Sequence, residues 1–102
     1  MSQYRLTSAA LDDVDTILLY VSKNFGPDRA SQLEDSLFSL FEQLALFPGL
    51  GHRRSDLTKR PFLFFPENSY LVIYERDVDP LVIHAVLHAS RDIASQLKRR
   101  NS

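Results

Sequence analysis

The stretch from Ser69 to Asp92 restricts what this chain can fold into more than any other. Ser69-Tyr70-Leu71-Val72-Ile73-Tyr74-Glu75-Arg76 and Pro80-Leu81-Val82-Ile83-His84-Ala85-Val86-Leu87-His88 are rich in β-branched and aromatic residues and flank a short loop, Asp77-Val78-Asp79. Two such runs with a short polar connection predict a β-hairpin. Alternation along the first run sets Tyr70, Val72 and Tyr74 against Leu71 and Ile73. Along the second it sets Leu81, Ile83, Ala85 and Leu87 against Val82, His84, Val86 and His88. Both faces are largely apolar, so these are interior strands, covered on two sides.

The rest of the chain supplies helices and edges. Gln3–Thr7 alternates and predicts a first strand. Thr7 or Ser8 caps a helix whose apolar stripe runs Leu11, Val14, Ile17, Leu18, Val21 and Phe25, widened by Leu19 and Tyr20, with Asp12 and Asp13 near its positive end. Gly26 stops it, and Pro27 opens a second helix with Ala30, Leu33, Leu37, Leu40, Phe41 and Leu44 on its apolar face, ending at Pro48-Gly49. So short a link makes the pair an antiparallel hairpin. Residues 48–60 show no periodicity and hold four of the twelve basic side chains, so they are either a binding loop or a solvated one. Pro61–Pro66 reads as a strand, Glu67-Asn68 as a tight turn, and Ser90 as the cap of a short helix through Arg99 with Lys98, Arg99 and Arg100 at its negative end.

Strands grouped apart from helices predict an α+β fold: an N-terminal strand, a two-helix hairpin on one face of an antiparallel sheet of about four strands, and a short C-terminal helix. The 102 residues make one domain, 1–102. Two helices cover only one face of the sheet, so the reading leaves the other face open to a partner. The C-terminal segment from Ser90 is read as a docking element outside the core, one that truncation after Asp92 would remove without loss of the fold.

Composition narrows the function. No apolar run approaches a membrane span and no basic-then-apolar leader opens the chain, so the expected compartment is the cytoplasm and no membrane partner is expected. The absence of cysteine rules out disulfides and thiolate metal sites and agrees with a reducing compartment. The formal charge of −1 divides into three basic and seven acidic side chains in residues 1–51 and nine basic and six acidic in 52–102. That balance is far from the strongly basic one of a dedicated nucleic-acid protein, and no direct sequence-specific nucleic-acid binding by the chain alone is expected.

Catalytic patterns are thin. His84 and His88 fall on one strand face but about 13 Å apart, too far to share a metal. His88, Ser90 and Asp92 have triad residue types, yet sequence neighbours leaving one strand do not form triad geometry; Ser90 and Asp92 serve better as helix-start residues. Arg91 has two roles open to it, pairing with Asp92 or Glu75, or clamping a carboxylate or phosphate. No catalytic residue, metal ligand or cofactor is assigned.

In order and spacing, Leu11-Asp12-Asp13-Val14 through Tyr20, Pro48-Gly49-Leu50-Gly51-His52-Arg53-Arg54-Ser55-Asp56-Leu57, Ser69–Glu75 and Ile83–Asp92 resemble the ParE/RelE superfamily of toxins from bacterial type II toxin–antitoxin operons. The resemblance implies a helical hairpin against an antiparallel sheet. It carries two chemistries: RelE-like members cleave messenger RNA on the ribosome with basic groove residues and often a late tyrosine or histidine, whereas ParE-like members bind DNA gyrase. Leu71 stands where the ribonucleases commonly have arginine, and no tyrosine follows Tyr74. A ribonuclease needs a cation for developing phosphorane charge and a matched acid–base pair. The resemblance therefore implies the ParE-like branch, a gyrase-binding growth inhibitor rather than an enzyme, neutralised by a ParD-like antitoxin in a hetero-oligomer. The alternatives are a ribosome-dependent endoribonuclease using His88, Arg91 and the basic loop, and a relic that binds antitoxin without toxicity. The expected target-binding residues are Arg53, Arg54, His88, Arg91, Lys98 and Arg99. The expected antitoxin-binding residues are Tyr20, Leu71, Ile73, His84 and Arg91, with Arg53, Arg54 and Arg91 forming a basic rim to a groove made by the open sheet face and the outer side of the helical hairpin. Alternation alone leaves either Leu71 and Ile73 or Tyr70 and Val72 uncovered, and the resemblance favours the Leu71 set.

Overall fold

Gly26 and the residue on each side of it determine how the helical layer turns. In the computed structural model, which describes residues 3–100, helix α1 (Ser8–Phe25) ends at Gly26, and helix α2 (Pro27–Leu46) begins at the next residue. Gly26 has φ 96°, a region that side-chain-bearing residues rarely enter, and Pro27 brings the φ of a first helical turn ready-made. At the other end of α1 the Thr7 hydroxyl accepts the Ala10 N–H at 3.1 Å, the expected N-cap. Ala10, Val14 and Val21 on α1 and Leu37, Leu40, Phe41 and Leu44 on α2 are buried at helical spacing.

These helices lie on a five-stranded sheet made of β1 (Tyr4–Leu6), β2 (His52–Arg53), β3 (Leu63–Glu67), β4 (Tyr70–Glu75) and β5 (Leu81–His88). The order across the sheet is β1-β5-β4-β3-β2. The expected hairpin is its centre, with Val72 opposite Val86. A two-residue turn with Asn68 at φ 56° joins β3 to β4, and Asp79-Pro80 is a cis peptide. β2 spans only Leu63 and Phe64, so the later part of β3 is an edge, where Pro66 is tolerated.

The sheet is mixed, which corrects the all-antiparallel expectation: β1 runs parallel to β5, with Tyr4 opposite Leu81 and Leu6 opposite Ile83. Short connections force β3, β4 and β5 to alternate in direction. β1 reaches the sheet through the helical crossover instead, and a crossover permits parallel pairing.

A second correction concerns the face away from α1 and α2. Helix α3 (Ile93–Arg100) and the loop before β3 cover it. Phe62, Phe64, Ile73, Ala85, Leu87, Ile93 and Leu97 form a second buried cluster, with Leu57 and Leu71 packed at its margin. Ile93 and Leu97, one turn apart, are 5% and 3% exposed. The C-terminal segment is therefore core, and the sheet face expected to stand open is occupied by the chain itself. The helix also starts later than expected, capped by Asp92 rather than Ser90: the Asp92 carboxylate accepts the Ser95 N–H at 3.2 Å and the Ser95 hydroxyl at 2.9 Å. Those bonds hold the Asp92 carboxyl below its ordinary pKa.

Tyr74 ties the loop after α2 to the sheet. Its buried phenol donates to the Pro48 carbonyl at 2.7 Å and accepts the Gly51 N–H at 2.8 Å, and burial raises its pKa. A β-carbon on Gly51 would stand 2.7 Å from that phenol oxygen and 2.9 Å from the Phe64 carbonyl, so only glycine fits. Tyr74→Phe leaves the Gly51 N–H without this acceptor and is expected to destabilise by about 1–3 kcal/mol. A urea melt checks this; a loss below ~0.5 kcal/mol would mean the phenol does not hold the loop.

Candidate functional site

The exit of β5 carries the chemistry-bearing side chains, and a bulge decides how they are shared between faces. Tyr74 pairs with Ile83 and Ile73 with Ala85, so His84 is an extra residue in β5. The insertion reverses the side-chain alternation beyond it. His84 and His88, expected on one face, consequently lie on opposite faces. His84 Nε2 bonds Glu75 Oε1 at 2.9 Å, and its ring lies 4.5 Å from that of Phe62 in the α3-side cluster. His88 stands edge-on to Tyr70 at 5.3 Å, on the side of the α1–α2 hairpin.

His88 is exposed and held locally. Its Nδ1 accepts the Ser90 N–H at 3.1 Å and lies 2.7 Å from the Ser90 hydroxyl. Asp92 is engaged with Ser95, so the three triad residue types do not form a relay. Among the described residues, no three His, Asp or Glu side chains gather as metal ligands.

Sequence reasoning missed the most elaborate polar junction. β1 covers β5 only as far as Ile83, and side chains seal the backbone beyond it. Asp13 on α1 accepts the Val86 N–H at 3.0 Å and the Arg100 guanidinium at 2.8 Å, and Arg100 also donates to the His84 carbonyl at 3.3 Å. The Thr7 hydroxyl reaches the same carbonyl at 3.4 Å. A small cleft of about 180 Å3 opens beside this junction, lined by Thr7, Ser8, Ala9, Arg60, Phe62, His84, Leu97 and Arg100. Arg60 stacks on Phe62, 4.6 Å above its ring.

The expected binding residues divide between surfaces. Arg53 pairs with Leu63, in the row of Tyr74. Arg91 follows His88, which pairs with Tyr70. Those rows are four residues apart, about 13 Å along the strand, so Arg53 and Arg91 do not edge one groove. Arg54 forms an exposed ion pair with Asp56 at 2.9 Å. Lys98 and Arg99 are exposed near the end of α3. Ile73 is fully buried and Leu71 half-buried under the α3 layer, so a partner cannot reach Ile73 while α3 is in place. Tyr20, by contrast, is 58% exposed on α1, with its ring 6.4 Å from Phe25. Burial, and after it the nearby Tyr20 phenol, raise the Tyr70 pKa.

Residues 4–93 match the family model described as the ParE toxin of the type II toxin–antitoxin system parDE. The chain belongs to the ParE toxin family. Among curated relatives, it is 34% identical over 89 residues to Toxin ParE3 of Caulobacter vibrioides, covering 86% of this chain and 87% of that protein. It is 29% identical over 97 residues to Toxin ParE1 of the same organism, covering 95% and 99%. The fold of this ParE-family chain is also that of a protein in a solved structure described as the chromosomal ParDE TA system from P. aeruginosa. The TM-score is 0.69 at 15% identity, over 86% of this chain and 96% of the other. The order strand, helical hairpin, sheet and short last helix is thus a ParE architecture.

Proposed function

We propose that this chain is the toxin of a ParDE-type pair, inhibiting growth by binding DNA gyrase without hydrolysing a substrate, and neutralised by a ParD-like antitoxin. The match of residues 4–93 to the ParE toxin family carries this reading. The side chains at the end of β5 are compatible with it: His88 is held by Ser90, and Asp92 is spent on capping α3.

The antitoxin surface is assigned to the outer side of the α1 end of the helical hairpin. Leu19, Tyr20 and Phe25 are 59%, 58% and 62% exposed there. Large side chains exposed together are the material of a protein interface. An amphipathic antitoxin segment would anchor on Tyr20 and Phe25.

Gyrase supercoiling with purified toxin tests the reading directly. Inhibition by the toxin, relieved by an equimolar amount of its antitoxin, is the expected result. Unimpaired supercoiling together with codon-dependent cuts in ribosome-bound message would overturn it in favour of the endoribonuclease.

A further inference from the structure

Near-neutral net charge conceals a two-sided molecule. The α1–α2 hairpin, residues 8–46, holds two basic and seven acidic side chains, for −5. The layer on the opposite face of the sheet comprises residues 54–62 and 90–100. It holds seven basic and two acidic side chains, for +5. Apart from Arg100, which is paired with Asp13 of the hairpin, charge that cancels in the total is divided between the two sides.

The two sides also differ in apolar exposure. Every large apolar side chain with substantial exposure among the described residues lies outside the basic layer, in residues 11–50 or at Val78. A surface that is cationic, arginine-rich and without exposed apolar anchors has the make-up of a nucleic-acid interface, whereas a protein interface needs an apolar centre. Arginine forks suit phosphate oxygens in particular. Among the described residues the layer offers no exposed phenylalanine, tyrosine or tryptophan ring on which single-stranded bases could stack, which favours a duplex. Its cations are spread out, with Lys59 and Arg60 on the loop, Lys98 on α3 and Arg91 beyond the far end of β5. That spacing follows a phosphate backbone better than it clamps a single anion.

We infer that the α3–loop layer binds the phosphate backbone of duplex DNA without sequence preference, through Lys59, Arg60, Arg91 and Lys98. The choice of DNA over other duplexes rests on the gyrase reading, since gyrase acts on DNA; the binding itself is measured without gyrase. The hairpin side then remains free for a protein partner while the basic layer holds the DNA.

Fluorescence anisotropy of a labelled 30-base-pair duplex, with the full-length toxin at ~50 mM salt, tests this. The expected result is micromolar binding, with log K falling against log salt at a slope of about −3 to −5. Lys59→Glu/Lys98→Glu should weaken binding at least tenfold, and the milder Lys59→Gln/Lys98→Gln severalfold, with circular dichroism confirming the fold in each. Glu34→Lys on the hairpin should leave the affinity within about twofold. The proposal is overturned by no anisotropy change up to ~100 μM protein. It is equally overturned by undiminished affinity in folded charge variants, or by tighter binding to duplex RNA, single strands or an acidic peptide. Duplex binding that persists where supercoiling is unaffected would remove the gyrase reading alone.

Discussion

A chain ending at Asp92 is expected to lose cooperative folding. Truncation there removes Ile93 and Leu97, both buried, and uncovers Phe62, Phe64, Ile73, Ala85 and Leu87 on the sheet. Two leucine-sized side chains contribute about 1.5–3 kcal/mol each when fully buried, before the exposed sheet surface is counted. Small domains hold only about 5–15 kcal/mol in total. The truncated chain should therefore aggregate, or show helix and strand signals with dye-accessible apolar surface and no sharp melt. A full-length Lys98→Gln variant should melt like the parent, because Lys98 is exposed and lies outside the apolar anchors. That comparison separates loss of packing from loss of charge. A cooperative melt of the truncated chain within ~5 °C of the parent would show that α3 is not needed to close the core.

The same helix shows where the sequence was legible and where it was not. Local signals were sufficient for the α1–α2 hairpin, because Thr7, Gly26 and Pro27 each act on the backbone beside them. They were sufficient for β4 and β5 too, since β-branched residues on both faces require cover on both faces. What supplied the second cover was harder to read. α3 is eight residues long with two buried apolar positions, so its importance depends on the sheet face opposite, not on its own pattern. The bulge at His84 left no mark, since Ile83-His84-Ala85-Val86 contains no glycine or proline, yet it moved His84 and His88 to opposite faces. Alternation gave Tyr70, Val72 and Tyr74 their shared face correctly and failed only past that insertion. The basic rim failed for a related reason: strand register, not composition, decides that Arg53 and Arg91 occupy different rows.

Asp13→Ala is expected to be among the most destabilising single polar substitutions in the chain. Sequence position gave Asp13 a role near the positive end of α1, but in the fold it is a junction between α1, β5 and α3. Its carboxylate accepts from the Val86 N–H and from Arg100, whose other contact is the His84 carbonyl. The pair is partly shielded, with Asp13 13% and Arg100 24% exposed at the side chain. Removing one partner of a fully buried ion pair costs about 3–5 kcal/mol, and residual exposure reduces that to about 2–3 here. For a domain of this size the corresponding fall in Tm is about 10–20 °C. Arg100→Ala should cost less, because the Asp13 carboxylate keeps the Val86 N–H and can still meet water. The double variant should be less destabilised than the two single losses added together, with a coupling of about 1 kcal/mol or more. Thermal and urea melts of the three variants measure this cycle. Strict additivity would mean that Asp13 acts through Val86 alone and that Arg100 does not fasten α3 to α1. Substantial coupling would make α3 an element locked from both ends, by its Asp92 cap at one and by Asp13 at the other.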